Sequence, residues 1–246
     1  MEVKSNKSGC WVCVAIAMAL VMAAGRVGAS VQDSQANREE RWRQDLEFFA
    51  GQFPALQMDF KKLYPPAKFQ REVRDLEQDV PQISDSEVVL RLMRLVAAAK
   101  VAHTTVYEPQ GSLAFHRYPL QFYWYADGAA VTRAAEQYSA ALGARIVKIG
   151  TMTPEQLESA VVPYISHENQ PWLHQLSPDF MLTQEVAAHF GLATADGSIE
   201  LTLKKPDADP FLLRVAPLAA GAKPTMISAI DAFHIPVPLY RKQPNS

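Results

Sequence analysis

Two histidines and a glutamate stand close together in His167-Glu168-Asn169-Gln170-Pro171-Trp172-Leu173-His174. Imidazole and carboxylate are ligands that a divalent metal takes. A helical zinc site sets two histidines four apart with a glutamate between them. Here the fourth residue after His167 is Pro171, which disrupts the required turn, and His174 lies seven residues on. The spacing predicts no metal and no cofactor, and leaves Trp172 and Leu173 as core anchors. His103 stands where a helical period gives way to an extended one. It has the chemistry of a base or a ligand. With no nucleophile near it in sequence, the expectation is a ring that bonds backbone groups at a helix-to-strand corner. A nucleophilic serine needs a base in reach and an oxyanion hole. The chain has no Ser-x-x-Lys and no Gly-x-Ser-x-Gly. Ser112 and Ser198 follow glycines in predicted turns. Lys204 and Lys205 fall on a predicted hairpin tip, where water keeps an amine too basic to serve as a catalytic base.

The elements that must position such groups begin after an export-type leader. Lys4 and Lys7 form a basic start, Cys10–Ala24 is an apolar run short for a membrane span, and Val27-Gly28-Ala29 offers small or tolerated residues at a cleavage site. Cleavage is expected after Ala29, giving an exported protein, periplasmic or extracellular, with no stable membrane span; an uncleaved anchor is the alternative. Neither Cys10 nor Cys13 follows the apolar run, which excludes a lipoprotein. Both cysteines of the chain lie here, so the exported part is expected to rely on its core rather than on disulfides or a thiolate-bound zinc.

The chain has 246 residues, is 48% hydrophobic and carries a formal net charge of −2. That suffices for one or two cored domains. A mildly acidic chain without a basic stripe excludes nucleic acid as its partner.

The class expected is α+β, a small N-terminal helical bundle followed by a PDZ-like sheet-and-helix domain. Trp42, Leu46, Phe49 and Phe53 make one apolar stripe of a helix that starts at Arg38 and that Pro54 helps to stop. Pro65-Pro66 opens a second helix, with Phe69, Val73 and Leu76 inward. Ser84 and Glu87 form a capping box for a third, Asp85 to about Val101. Phe122-Tyr123-Trp124-Tyr125 is a strand, Asp127-Gly128 a turn, and Ala129-Ala130-Val131 the return. Arg145–Ile149 is a buried strand. Thr153-Pro154-Glu155-Gln156 caps a helix laid over the sheet. Ser177-Pro178-Asp179 is expected to cap a further helix through Phe190. Ile199–Leu203 and Phe211–Val215 form a hairpin. The boundaries expected are a leader over 1–29, a helical domain over 30–102, a PDZ-like domain over 103–218, and a linker over 219–246 that starts a further domain.

This order resembles the N-terminal half of the tail-specific, or C-terminal-processing, serine peptidases. The pieces that carry the resemblance are Ala102-His103-Thr104, Tyr125-Ala126-Asp127-Gly128 with Val131, Leu142–Gly150, the hairpin from Ile199 to Val215, and Pro236-Val237-Pro238-Leu239-Tyr240-Arg241. The resemblance implies a helical domain, a PDZ-like domain and an α/β domain that holds the catalytic serine and lysine. That last domain begins in the family just after a segment like Leu239-Tyr240-Arg241, so no position here takes either catalytic role. Ala102 stands where many relatives carry an acidic residue or glycine.

Three functions follow as expectations. The first is a fragment or truncated form of such a peptidase that binds peptide or protein C-terminal segments by strand addition and does not catalyse on its own. Its lip would be Tyr118, Leu120, Gln121 and Phe122, around Pro119. The second is part of a complete endopeptidase whose catalytic domain lies on a continuation of the gene or a separate chain. The third is a purely structural interaction domain, with Leu120 and Phe122 as core.

Overall fold

The computed structural model describes residues 34–57, 59–107 and 109–233. The expected leader, its cleavage site and the Pro236–Arg241 segment lie outside them. The described chain has helix α1 over 34–56, α2 (Phe60–Leu63), α3 (Pro66–Asp79), α4 (Asp85–Ala97), strands β1 (Leu120–Tyr125), β2 (Gly128–Ala135) and β3 (Arg145–Ile149), helices α5 (Pro154–Val161), α6 (Gln170–Met181) and α7 (Gln184–His189), strands β4 (Ile199–Lys204), β5 (Phe211–Val215) and β6 (Met226–Ser228), and α8 (Ala229–Ala232). The α+β class is the one expected.

The chain divides into two compact units. The first joins α1 to Val73–Gln82. Leu46, Val73, Leu76 and Val80 are buried there, and Arg38 Nη1 donates to the Val80 carbonyl at 2.9 Å. Helix α1 continues past Pro54, which sits in its last turns; the missing N–H there costs one ladder bond at an end that frays in any case.

The second unit holds Asp59–Glu72 and everything from Ile83 on. The expected boundary at 102 falls inside this unit. The reason is packing: α4 lies against α7 and the turn Val162–Tyr164, and its Val88, Val89, Leu95 and Val96 are buried. Ser84 caps α4 by accepting from the Glu87 N–H, but the Glu87 carboxylate turns instead to Arg91 at 3.1 Å and His189 at 2.7 Å.

The sheet runs β1-β2-β3-β4-β5, antiparallel throughout, with β6 also on β2. Tyr125 pairs with Gly128, so the tight turn is Ala126-Asp127, and Gly128 takes φ 124°, which a side chain would resist. Along β1 the side chains alternate, with Leu120 and Phe122 buried, Trp124 half-buried, and Gln121, Tyr123 and Tyr125 exposed. Helix α5 packs on β3 and α6 on β1, side by side. Thr153 and Gln156 close the predicted capping box of α5. Helix α6 departs from expectation. Asn169 caps it, accepting from the Trp172 N–H at 2.9 Å, and it runs through Pro178 rather than starting at Ser177. Pro171 at its first turn is tolerated because that N–H needs no helical partner. Among the described residues no helix is long and apolar enough to cross a membrane.

Candidate functional site

The lead into β1 fixes the site. Tyr118 is buried, and its O–H donates to the Gly197 carbonyl at 2.8 Å. Burial holds its phenol well above the usual range, and the Glu185 and Asp196 carboxylates add to this. Leu120 and Phe122 are buried too, and the Phe122 ring meets Trp124 edge-on at 5.8 Å. This corrects the side-chain part of the expected lip. Three of its four residues are buried, Leu120 and Phe122 on the face of β1 that α6 covers and Tyr118 just before that strand, and Gln121 alone is exposed.

What the same segment does present is backbone. Arg117 pairs antiparallel with Thr183. The Tyr118 N–H donates to the Leu182 carbonyl at 3.0 Å, and the Gln184 N–H donates to the His116 carbonyl at 2.7 Å. The Glu185 carboxylate accepts the His116 N–H at 2.9 Å and lies 2.6 Å from His116 Nδ1.

Beside this short ladder opens a cleft of about 360 Å³. Met93, Phe115, Ile165 and Phe180 give it an apolar lining, with Tyr164 and Trp172 among its walls. Arg117 is exposed at the cleft, and its guanidinium donates to the Asp179 carbonyl at 3.1 Å. Ser166 also lines it and is only 3% exposed. Among the described residues its hydroxyl makes no hydrogen bond, while no fully buried side-chain polar atom lacks a partner.

The Tyr164 wall is fixed from behind. Its hydroxyl lies 2.7 Å from His189 Nε2, and His189 Nδ1 lies 2.7 Å from Glu87 Oε2. A carboxylate on Nδ1 sets the tautomer in which Nε2 accepts the phenol proton. Burial raises the Tyr164 phenol, opposed by Arg94.

His103 lines the cleft as an exposed ring. The expected corner is there, in that the Thr104 N–H returns to the Val101 carbonyl and Glu168 accepts the Ala102 N–H at 3.2 Å. But it is Glu168, not the imidazole, that ties the corner down, and among the described residues the His103 ring makes no hydrogen bond. The other two histidines of interest separate. His167 Nδ1 lies 2.7 Å from the Ile165 carbonyl, and His174 Nδ1 lies 2.9 Å from Glu158 Oε1. Among the described residues no group of three or more His, Cys, Asp or Glu is placed to hold a metal. Ser198 is buried and donates to Asp196 at 3.1 Å. Sequence reasoning missed Ser166 and Arg117 as site residues. Neither sits in a motif, and only the fold brings them to one cleft.

No protein-family model matches the chain, and no curated protein matches it. Solved structures do. The chain is similar to mature CPAF complexed with lactacystin, with a TM-score of 0.51 at 13% identity over 82% of this chain and 39% of that one. It is likewise similar to mature CPAF, with a TM-score of 0.50 at 13% identity over the same shares. CPAF is a chlamydial serine protease of tail-specific-protease-like type. The chain spans about two fifths of the length of these neighbours, 39%. At this identity the likeness establishes a related fold.

Proposed function

We propose that this chain is a peptide-recognition part of a tail-specific-peptidase-like protein, taking the C-terminal end of a polypeptide into the cleft beside β1. The observation that carries the reading is an apolar cleft, lined by Met93, Phe115, Ile165 and Phe180, with Ser166 in its lining and the Arg117 guanidinium at its side. An apolar last side chain fills the lining, and the guanidinium meets the terminal carboxylate. Ser166 supplies one directional hydrogen bond inside. In this reading the chain recognises and does not cleave. Residues 1–29 direct it out of the cell.

The test is calorimetric titration with one peptide ending in leucine, as the free acid and as the amide. The free acid should bind with an affinity on the order of micromolar, about −8 kcal/mol. Amidation and Arg117→Gln should each weaken binding roughly tenfold, because each removes a charge-assisted contact. Equal affinity for acid and amide rejects the reading.

A second reading, an endopeptidase whose serine and lysine lie on a continuation or a separate chain, is favoured by one observation. His103 brings an exposed imidazole to the same cleft. Turnover of unfolded casein by this chain joined to that continuation or mixed with that separate chain, lost on His103→Ala, would support it over the first.

A further inference from the structure

We infer that the extended backbone at His116–Tyr118, held by the isolated Arg117–Thr183 bridge, is a tail-binding edge that the chain's own segment Leu182–Glu185 already occupies, so that this segment competes in cis with an external peptide strand there. The inference rests on the peptide-binding reading above and adds its regulation. Strand addition needs ladder bonds to an exposed edge and a donor set for the terminal carboxylate. Both are present here, and both are taken. The ladder bonds are Tyr118 N–H to the Leu182 carbonyl and Gln184 N–H to the His116 carbonyl, at 3.0 and 2.7 Å. The carboxylate is that of Glu185, whose two oxygens meet the His116 N–H and Nδ1 at 2.9 and 2.6 Å. A side-chain carboxylate thus fills the place of a main-chain terminus, at the end of a short antiparallel pairing.

The segment also adjoins the cleft, since Phe180 and Thr183 line it. Leu182 and Thr183 join α6 to α7, whose first residues are Gln184 and Glu185, so the segment is held next to the edge by its own tether. A tethered competitor acts at an effective concentration on the order of millimolar. An external strand at that edge is therefore strongly weakened while the segment stays in place, whereas binding in the cleft is not.

Gln184→Pro tests this. Gln184 is the first residue of α7, where proline is accepted, and Thr183 before it has φ −113° and ψ 144°, which a following proline favours. The substitution deletes the N–H that bonds His116 and spares the helix. Glu185→Gln is the second variant; it keeps the side-chain shape and removes the charge. The probe is the synthetic free-acid peptide Phe-Met-Leu-Thr-Gln-Glu, the chain's own residues 180–185, titrated into the full chain by calorimetry. Each variant should bind it at least tenfold more tightly than the parent chain. A folded variant that binds no better overturns the inference, whatever the leucine-ended peptide does at the cleft; loss of that peptide's acid-over-amide preference speaks only against the cleft reading. Should both variants fail to fold, hydrogen exchange on the parent chain decides. The Tyr118 and Gln184 amides should exchange at least tenfold faster than the Ala135 amide, which bonds the Pro119 carbonyl. Equal protection would mean that the segment never leaves the edge, and the inference falls.

Discussion

Trp124 on β1 donates its indole N–H to Ser177 Oγ on α6 at 3.1 Å, across 53 residues of sequence. The serine passes the bond on, donating to Glu158 Oε1 on α5 at 2.6 Å. His174 reaches the same carboxylate oxygen at 2.9 Å. One buried carboxylate thus ties two helices to the edge strand.

Ser177→Ala should therefore destabilise by about 2 kcal/mol, because it strands the Trp124 N–H and strips a donor from Glu158. Urea unfolding followed by tryptophan fluorescence measures it. A loss under about 0.5 kcal/mol would mean that water replaces the hydroxyl freely.

Tyr118→Phe removes the O–H bond to the Gly197 carbonyl and should cost about 1 kcal/mol at neutral pH. Because the folded phenol is raised, its contribution is full below the unfolded value of about 10 and is lost as pH rises beyond it. The stability gap between parent and Tyr118→Phe should stay constant from pH 6 to 8 and shrink in alkali. A gap that changes between pH 6 and 8 would contradict this.

Asp196 shows the opposite sign. The Thr194 hydroxyl, Arg214 and the Ser198 N–H hold its carboxyl far below the usual range. Its contribution is present above the unfolded value of about 4 and is lost as pH falls toward the folded one. Asp196→Asn should lower Tm at pH 7, and the difference should close below about pH 4. Calorimetric scans across that window check it.

Export predicts a new N-terminus. Mass spectrometry of the exported protein should find Ser30 first, after cleavage behind Ala29. A retained Met1 would exclude cleavage.

Where signals were local, the residues could be read directly. Thr153 and Gln156 cap α5 as their spacing demands, and the hairpin pairs Ile199 with Val215 and Leu203 with Phe211. Ser177-Pro178-Asp179 misled because serine before proline looks like a helix start wherever it falls. Asn169 had already started that helix, and nothing near Ser177 in sequence reports it. Leu120 and Phe122 could be read as lip or as core, and nothing near them in sequence decides between the two, since their burial depends on α6, a later element. The pairs His116–Glu185 and His189–Glu87 span 69 and 102 residues, and the β2–β6 pairing is also distant. Single-sequence patterns carry no information at such separations. Arg117 and Ser166 fall in the same class, so the cleft they share was invisible.

The strand order β1-β2-β3-β4-β5 follows the chain itself, and β6 alone reaches back, to Arg133, Ala134 and Ala135 of β2. On a ribosome the sheet can therefore zip forward, each strand laid on the one just made, with the wait at β4 while α5 to α7 emerge. Loop closure slows pairing between distant segments, so the latch at Met226–Ser228 is the last joint to set. Until it does, the outer part of β2 that carries Arg133–Ala135 lies open for as long as synthesis takes to reach it.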